Sequence, residues 1–268
     1  MSDPNQGFQP PPPPPFPQAP APTGPTMSTG ETLSSIFFEP SRAFEGLRER
    51  PRFLIATVIC MVFFLAFTLT FFQKVGYDRL IREETENGPR ADQTSPEQKE
   101  TAIRMQSSPI VKVIRIVVTP LFIAVIFAAG AGLYLLGSVL MGKQVSYKQA
   151  LSVFVYSSVP PTVLAMIINV ILTFLKSPDT YDIVGASRRG LVKANLSFLS
   201  DPKAAPIFYT LLGSVDLFAF YGLFLAALGL RKVGKMSSGG AWTIVLTIWI
   251  IFNLGLRLAG AAFTGQGM

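Results

Sequence analysis

Two long uncharged runs separated by a short polar stretch constrain this chain more than any other feature. Residues 116–141 form a run of 26 without a charged side chain, and residues 151–175 form a run of 25. About 20 apolar residues in a helix cross a hydrocarbon core about 30 Å thick, so each run is long enough to span a membrane. The polar stretch at 142–150 therefore predicts a tight hairpin between two membrane helices.

The second helix of this hairpin carries a start signal and a proline pair. Ser146 followed by Gln149 matches a capping box, which predicts that the helix begins there. Pro160 and Pro161 have no N–H to donate to carbonyls one turn earlier, and they predict a break in the helix. The residues of this predicted break are Tyr156, Ser157, Ser158, Pro160 and Pro161. Because unpaired carbonyls are costly in lipid, the break is either a hinge satisfied by nearby serines or a neighbouring helix, or a ligand or ion site.

Composition places the chain among polytopic membrane proteins. It has 268 residues, of which 49% are hydrophobic, and they come in long blocks. Histidine is absent and Cys60 is the single cysteine, which excludes thiolate or imidazole metal clusters, Cys–His catalysis and internal disulfides. We therefore predict no metal, no cofactor and no catalytic residue. The net charge of +7 is scattered over several loops, which favours the lipid bilayer as a partner and not nucleic acid.

The sequence predicts three regions of different character. Residues 1–30 hold 11 of the 22 prolines and predict a disordered Pro-rich tail, which is either a plain tether or a ligand for a tail-binding protein with an aromatic groove. Residues 31–52 predict amphipathic juxtamembrane helices, which either lie on the membrane surface or pack under the bundle. Residues 53–263 predict an all-α membrane domain of five transmembrane helices. The five spans lie near residues 53–72, 113–141, 151–175, 206–230 and 241–263.

The loop sequences predict where two helices begin and which side of the membrane the N-terminus occupies. In the loop at 73–115, residues 95–98 combine a capping box with proline at the first helical position, predicting a short helix to about Met105. Ser108 followed by Pro109 predicts the start of the second spanning helix. The short loops at 142–150 and 231–240 hold five basic and no acidic residues, which predicts that they and the N-terminus are cytoplasmic.

Two charged residues fall deep inside predicted spans. Asp216 lies in the fourth span and Arg257 in the fifth, and a charge at a helix centre costs about 2.5 to 3.5 kcal/mol on insertion scales. At about 1.5 Å of rise per residue, Asn169 and Asn253 fall at a similar depth. We therefore predict a buried polar layer in which Asp216 pairs with Arg257 and the two asparagines add hydrogen bonds. The layer is either an ion pair that locks two helices together, or a substrate or proton site.

Several segments resemble the YIP1 family, and more narrowly its bacterial members. They are residues 36–44 (IFFEPSRAF), 142–151 (GKQVSYKQAL), 156–160 (YSSVP) and 216–218 (DLF) followed by 228–230 (LGL). The similarity covers residues 34–263. It implies five transmembrane helices with a cytoplasmic N-terminus, and placement in the bacterial cytoplasmic (inner) membrane. Eukaryotic relatives act in vesicle traffic between endoplasmic reticulum and Golgi and bind small GTPases of the Rab type, and the family offers no catalytic residues to transfer.

These observations leave three functional hypotheses. The first is a non-enzymatic membrane-organising or adaptor protein that holds a membrane-protein partner or forms a homo-oligomer. The alternative is a small-solute or ion transporter or channel, using the broken third helix and the Asp216/Arg257 layer as its path. An intramembrane enzyme would need Asp216 or Ser157 as its catalyst, and no motif supports either residue.

Overall fold

The computed structural model describes residues 27–87, 91–201 and 204–255. In these ranges the chain is built from helices, which confirms the predicted all-α class. The helices are α1 (Thr29–Phe38), α2 (Pro40–Glu49), α3 (Leu54–Val75), α4 (Tyr77–Glu86), α5 (Pro96–Gln106), α6 (Pro109–Leu140), α7 (Tyr147–Leu175), α8 (Ile183–Arg189), α9 (Pro206–Ser214), α10 (Leu217–Val233) and α11 (Ser238–Trp249). Residues 1–26 of the predicted tail lie outside the described ranges, and α1 already begins at Thr29.

Three of the described helices are long and apolar enough to cross a membrane. They are α3, α6 and α7, which correspond to the first three predicted spans. The predicted fifth span is described to Gly255, where α11 continues into a π-helical turn at Ile250–Gly255. Its apolar part, Ser238–Phe252, is shorter than the three long helices. The count of five spans therefore stays a prediction.

The predicted fourth span is not one helix, which corrects the continuous helix expected at 206–230. It divides into α9 and α10, and the backbone is extended at Asp216. There the chain makes a single antiparallel bridge to Asn195, and the Leu217 N–H donates to the Ala194 carbonyl at 3.0 Å. The apolar run concealed this break because apolar length does not report whether the helix is continuous.

The predicted break at Pro160 and Pro161 is wrong as well, because α7 is continuous through both prolines. Both rings are buried in the bundle, where α10 packs against α7. Gly222 of α10 lies beside this part of α7, since a Cβ built there would be in ordinary van der Waals contact with the Pro161 Cγ at 3.6 Å and the Ser157 carbonyl oxygen at 3.7 Å. Tertiary packing thus offsets the two lost backbone donors.

One end of the bundle, which we call the near face, carries α1, α2, the turn before α7 and the turn before α11. Phe44 of α2 is fully buried and inserts between α7 and α10. A Cβ on Gly229 would lie 2.7 Å from the Val153 Cγ1 and 2.8 Å from the Phe44 Cε1, so glycine is required for this contact. The Lys232 ammonium pairs with Glu45 at 2.6 Å. The two N-terminal helices therefore pack under the bundle, which was one of the two predicted arrangements.

The opposite end, which we call the far face, carries a second layer of short helices. The end of α3 packs with α4, α5, α7 and α8 in a separate apolar cluster that includes Leu80 and Ile81. Arg115 at the start of α6 donates to both carboxylate oxygens of Glu84, at 2.8 and 2.9 Å. The predicted helix near 96–105 is confirmed as α5, with both bonds of its capping box present. The predicted starts of α6 and α7 are confirmed by their Ser108 and Ser146 caps.

Candidate functional site

Asp216 is the N-cap of α10. Its carboxylate accepts a hydrogen bond from the Ala219 N–H at 2.9 Å, so the acid satisfies an amide group that would otherwise be unpaired at the helix start. The residue is half-buried. This role gives one physical reason for an acidic residue inside an apolar stretch.

Asn169 holds the chain that follows α8. Its side chain is 1% exposed, and its Oδ1 accepts hydrogen bonds from the Leu191 and Val192 N–H groups. The absence of a Cβ at Gly190, whose φ is 82°, permits this close approach, because a Cβ built there would lie 2.6 Å from the Asn169 amide atoms. The sequence predicted Asn169 as part of a polar layer between helices. In the structure, Asn169 instead fixes the far-face loop at 191–192 onto α7.

Asn169 and Asp216 line one cavity of about 650 Å³ at the far face. Its walls come from α7, α8 and the following loop, the α9–α10 junction, and Trp249 at the end of α11. Volumes of about 300 to 1,000 Å³ are typical of small-molecule sites. The structure thus brings two of the four predicted polar-layer residues to one concave site.

The other two polar-layer residues are not tested. Arg257 lies outside the described residues, and so does the predicted Asp216–Arg257 pair. Asn253 belongs to the π-helical turn after α11, and its side chain is also outside the description. The polar layer as a four-residue unit stays a prediction.

The residues of the predicted break lie in the bundle core and away from this cavity. Tyr156 is fully buried and Ser157 is 3% exposed. The Ser157 and Ser158 hydroxyls both donate to the Phe154 carbonyl, at 2.9 and 2.8 Å, and not to the carbonyls that the prolines leave without a backbone donor. The continuous helix removes the path that the transport hypothesis assigned to a break here.

Tyr181 and Trp249 are among the cavity residues that the sequence analysis did not single out. Tyr181 follows α7 in a loop without a motif, and Trp249 lies in an apolar run where a membrane-facing aromatic is ordinary. Burial raises the pKa of the Tyr181 hydroxyl, with Arg79 acting in the opposite direction, so the phenol is neutral and able to donate. Among the described residues, no group of three His, Cys, Asp or Glu side chains is placed to hold a metal ion.

Comparison with known protein families gives a match that covers most of the chain. The family model described as the Yip1 domain matches residues 34–258, which is most of the chain. No curated protein and no solved structure matches the chain.

Proposed function

The chain belongs to the Yip1 family, and from that premise we propose that it is a non-enzymatic membrane protein that organises or adapts other membrane proteins. Five transmembrane helices in the bacterial cytoplasmic membrane, with the N-terminus in the cytoplasm, form part of this proposal. The near-face loops support the orientation, because Lys143, Lys148 and Arg231 lie there with no acidic residue beside them in the sequence.

The lateral surface of α6 carries the proposal. This is the longest helix of the described residues, yet only 6% of its most apolar stretch is buried, compared with 33% in α7 and 22% in α3. Within its small-residue run, Gly130 packs against the Phe154 ring, whereas Ala128 and Ala129 are exposed. A Cβ built on Gly132 would meet nothing within 4 Å.

Small side chains on an open helix face allow a second helix to approach closely, and in lipid such packing drives association. We assign the α6 surface to a second copy of this chain, since that surface is available on every copy in the membrane. Charged residues are missing from the outward face over residues 116–140, which suits contact within the hydrocarbon layer.

Cysteine cross-linking tests the α6 contact. Cys60 is buried and is the single cysteine, so a Cys60→Ala background accepts one new cysteine at a time. Ala129→Cys should form disulfide-linked dimers on mild oxidation in membranes. Val58→Cys is the matched control, because this residue is 54% exposed on α3, a different helix. Equal cross-linking at the two positions, or none at Ala129→Cys, would contradict the proposed self-association.

The N-terminal tail supplies the second part of the adaptor proposal. Residues 1–26 precede α1, which lies at the near face, so the tail is tethered on the same side as the basic loops. Polyproline segments dock in aromatic grooves at low entropic cost. Purification in mild detergent of the full chain and of a chain lacking residues 1–26, with mass spectrometry, tests this part. The truncation keeps Ser28, which caps α1. We expect a stoichiometric partner that is lost with the tail, and identical partners in both preparations would refute a tail-binding protein.

A further inference from the structure

Residues that line the far-face cavity carry hydrogen-bonding groups that the described part of the protein does not satisfy. The Asn169 Nδ2, the Tyr181 hydroxyl and the Trp249 Nε1 are each buried without a hydrogen-bond partner there. All three residues line this one cavity. An amide, a phenol and an indole N–H are donors, and buried donors without partners are rare because each costs free energy. Their shared location points to a ligand rich in acceptor atoms.

The charges around the cavity favour an anion. Lys176, Arg189 and Lys193 line it, and none of them forms an ion pair with a described residue. The two acids of the lining are both occupied as helix caps. Asp182 accepts from the Gly185 N–H at 3.0 Å, and Asp216 accepts from Ala219. The site therefore presents three cations and three neutral donors against two carboxylates, each of which already accepts a backbone hydrogen bond, so cations outnumber anions by one.

The surroundings of the cavity favour an amphiphile. The segment after α8 and the start of α9 expose large apolar side chains beside it, with Phe198 68% exposed, Leu199 63% exposed and Phe208 54% exposed. Such side chains suit contact with acyl chains at the edge of a bilayer, while the cations at the mouth suit a charged head group. A phosphate group offers several acceptor oxygens to cations and neutral donors at once.

We propose that this far-face cavity is a phosphate-binding site that takes the head group of an anionic phospholipid. In it Lys176, Arg189 and Lys193 neutralise the phosphate, and the Asn169, Tyr181 and Trp249 donors orient it. The site goes beyond the proposed adaptor function and does not depend on the α6 surface, so the two proposals can fail separately.

Trp249 provides the reporter for the test. The chain has two tryptophans, and Trp242→Phe leaves Trp249 alone. The full-length Trp242→Phe protein in an uncharged maltoside detergent is titrated with dihexanoyl phosphatidylglycerol, dihexanoyl phosphatidylcholine and inorganic phosphate, each in a separate series. We expect a saturable change in Trp249 emission with phosphatidylglycerol, at a concentration about tenfold below that needed for phosphatidylcholine.

Two variants that remove the same charge distinguish binding at this cavity from nonspecific attraction of an anion to a basic protein. Replacing Lys176, Arg189 and Lys193 by Gln should raise the half-saturating concentration of phosphatidylglycerol by about tenfold or more. The control replaces the near-face residues Lys143, Arg231 and Lys235 by Gln, which removes the same charge and should change this concentration by less than about twofold. Tyr181→Phe removes only the hydroxyl and should weaken binding by a few fold.

The results distinguish the source of the phosphate. Equal loss in the two triple variants, or no saturable signal with phosphatidylglycerol, overturns the proposal. If inorganic phosphate alone saturates the signal and prevents binding of phosphatidylglycerol, the site binds phosphate, but the proposal that a lipid supplies this phosphate is overturned. Circular dichroism melting of each variant confirms that the compared proteins are folded.

Discussion

Replacement of Asp216 distinguishes two roles for this residue, as a helix cap or as one partner of an ion pair. The carboxylate accepts one hydrogen bond, from the Ala219 N–H at 2.9 Å, at the start of α10. Loss of an N-cap side chain costs about 1 kcal/mol, within a range of about 0.5 to 2. Asp216→Ala should therefore lower the free energy of unfolding by about 0.5 to 2 kcal/mol.

Asp216→Asn is the decisive variant. Asparagine caps helices about as well as aspartate, so this change should cost less than about 0.5 kcal/mol. If the acid were half of a buried ion pair, asparagine would break the pair as completely as alanine. The cost of removing one partner of such a pair is about 3 to 5 kcal/mol.

The assay is reversible unfolding in mixed micelles of an uncharged detergent and dodecyl sulfate, followed by far-ultraviolet circular dichroism. Ser237→Ala is the matched control, because Ser237 caps α11 in the same way, accepting from the Gly240 N–H at 3.1 Å. It should cost about 1 kcal/mol. A loss for Asp216→Asn equal to that for Asp216→Ala would refute the cap as the explanation of this residue.

Two further predictions concern the two faces of the bundle. Phe44→Ala should lower the free energy of unfolding by about 3 to 5 kcal/mol in the same assay, since Phe44 is fully buried. Phe38→Ala, at a residue that is 85% exposed, should cost less than about 0.5 kcal/mol, and similar losses for both would contradict the packing of α2. At the far face, the hydrogen bond and charge of Arg79 hold the pKa of Asp179 below its ordinary value of 3.8. Because this folded-state pKa is lowered, the pair stabilises above about pH 4 and that contribution is lost as the pH falls below it. Arg79→Gln should therefore remove part of the acid sensitivity of the unfolding midpoint between pH 5 and 3, whereas unchanged sensitivity would contradict the pairing.

The helix caps are the features that sequence reasoning predicted best. Ser95, Ser108 and Ser146 were each predicted as helix starts, and each side chain accepts a hydrogen bond from an N–H three residues later. Such a bond depends on residues within one turn, so the signal is complete in the local sequence.

The sequence-based predictions of where helices are interrupted were wrong at two places. The sequence predicted an interruption at Pro160 and Pro161, where α7 continues, and a continuous helix across Asp216, where the chain turns. Proline removes donors at a cost that neighbouring helices can offset, and the contact with Gly222 of α10 lies about 60 residues away in the sequence. Aspartate favours helix N-caps, so the sequence did carry a local signal for a helix start at Asp216. We instead interpreted this acid as a charge within a membrane span.

The amino-acid sequence by itself determined that this chain is a helical membrane protein, where its long helices lie and where several of them begin. Apolar length and capping are properties of neighbouring residues, so they can be read without the fold. Tertiary structure alone decided that Asn169 holds the loop at 191–192, and that Tyr181 and Trp249 meet Asp216 around one cavity. These groups come from segments far apart in the chain, and only the packing of the helices sets the distances between them.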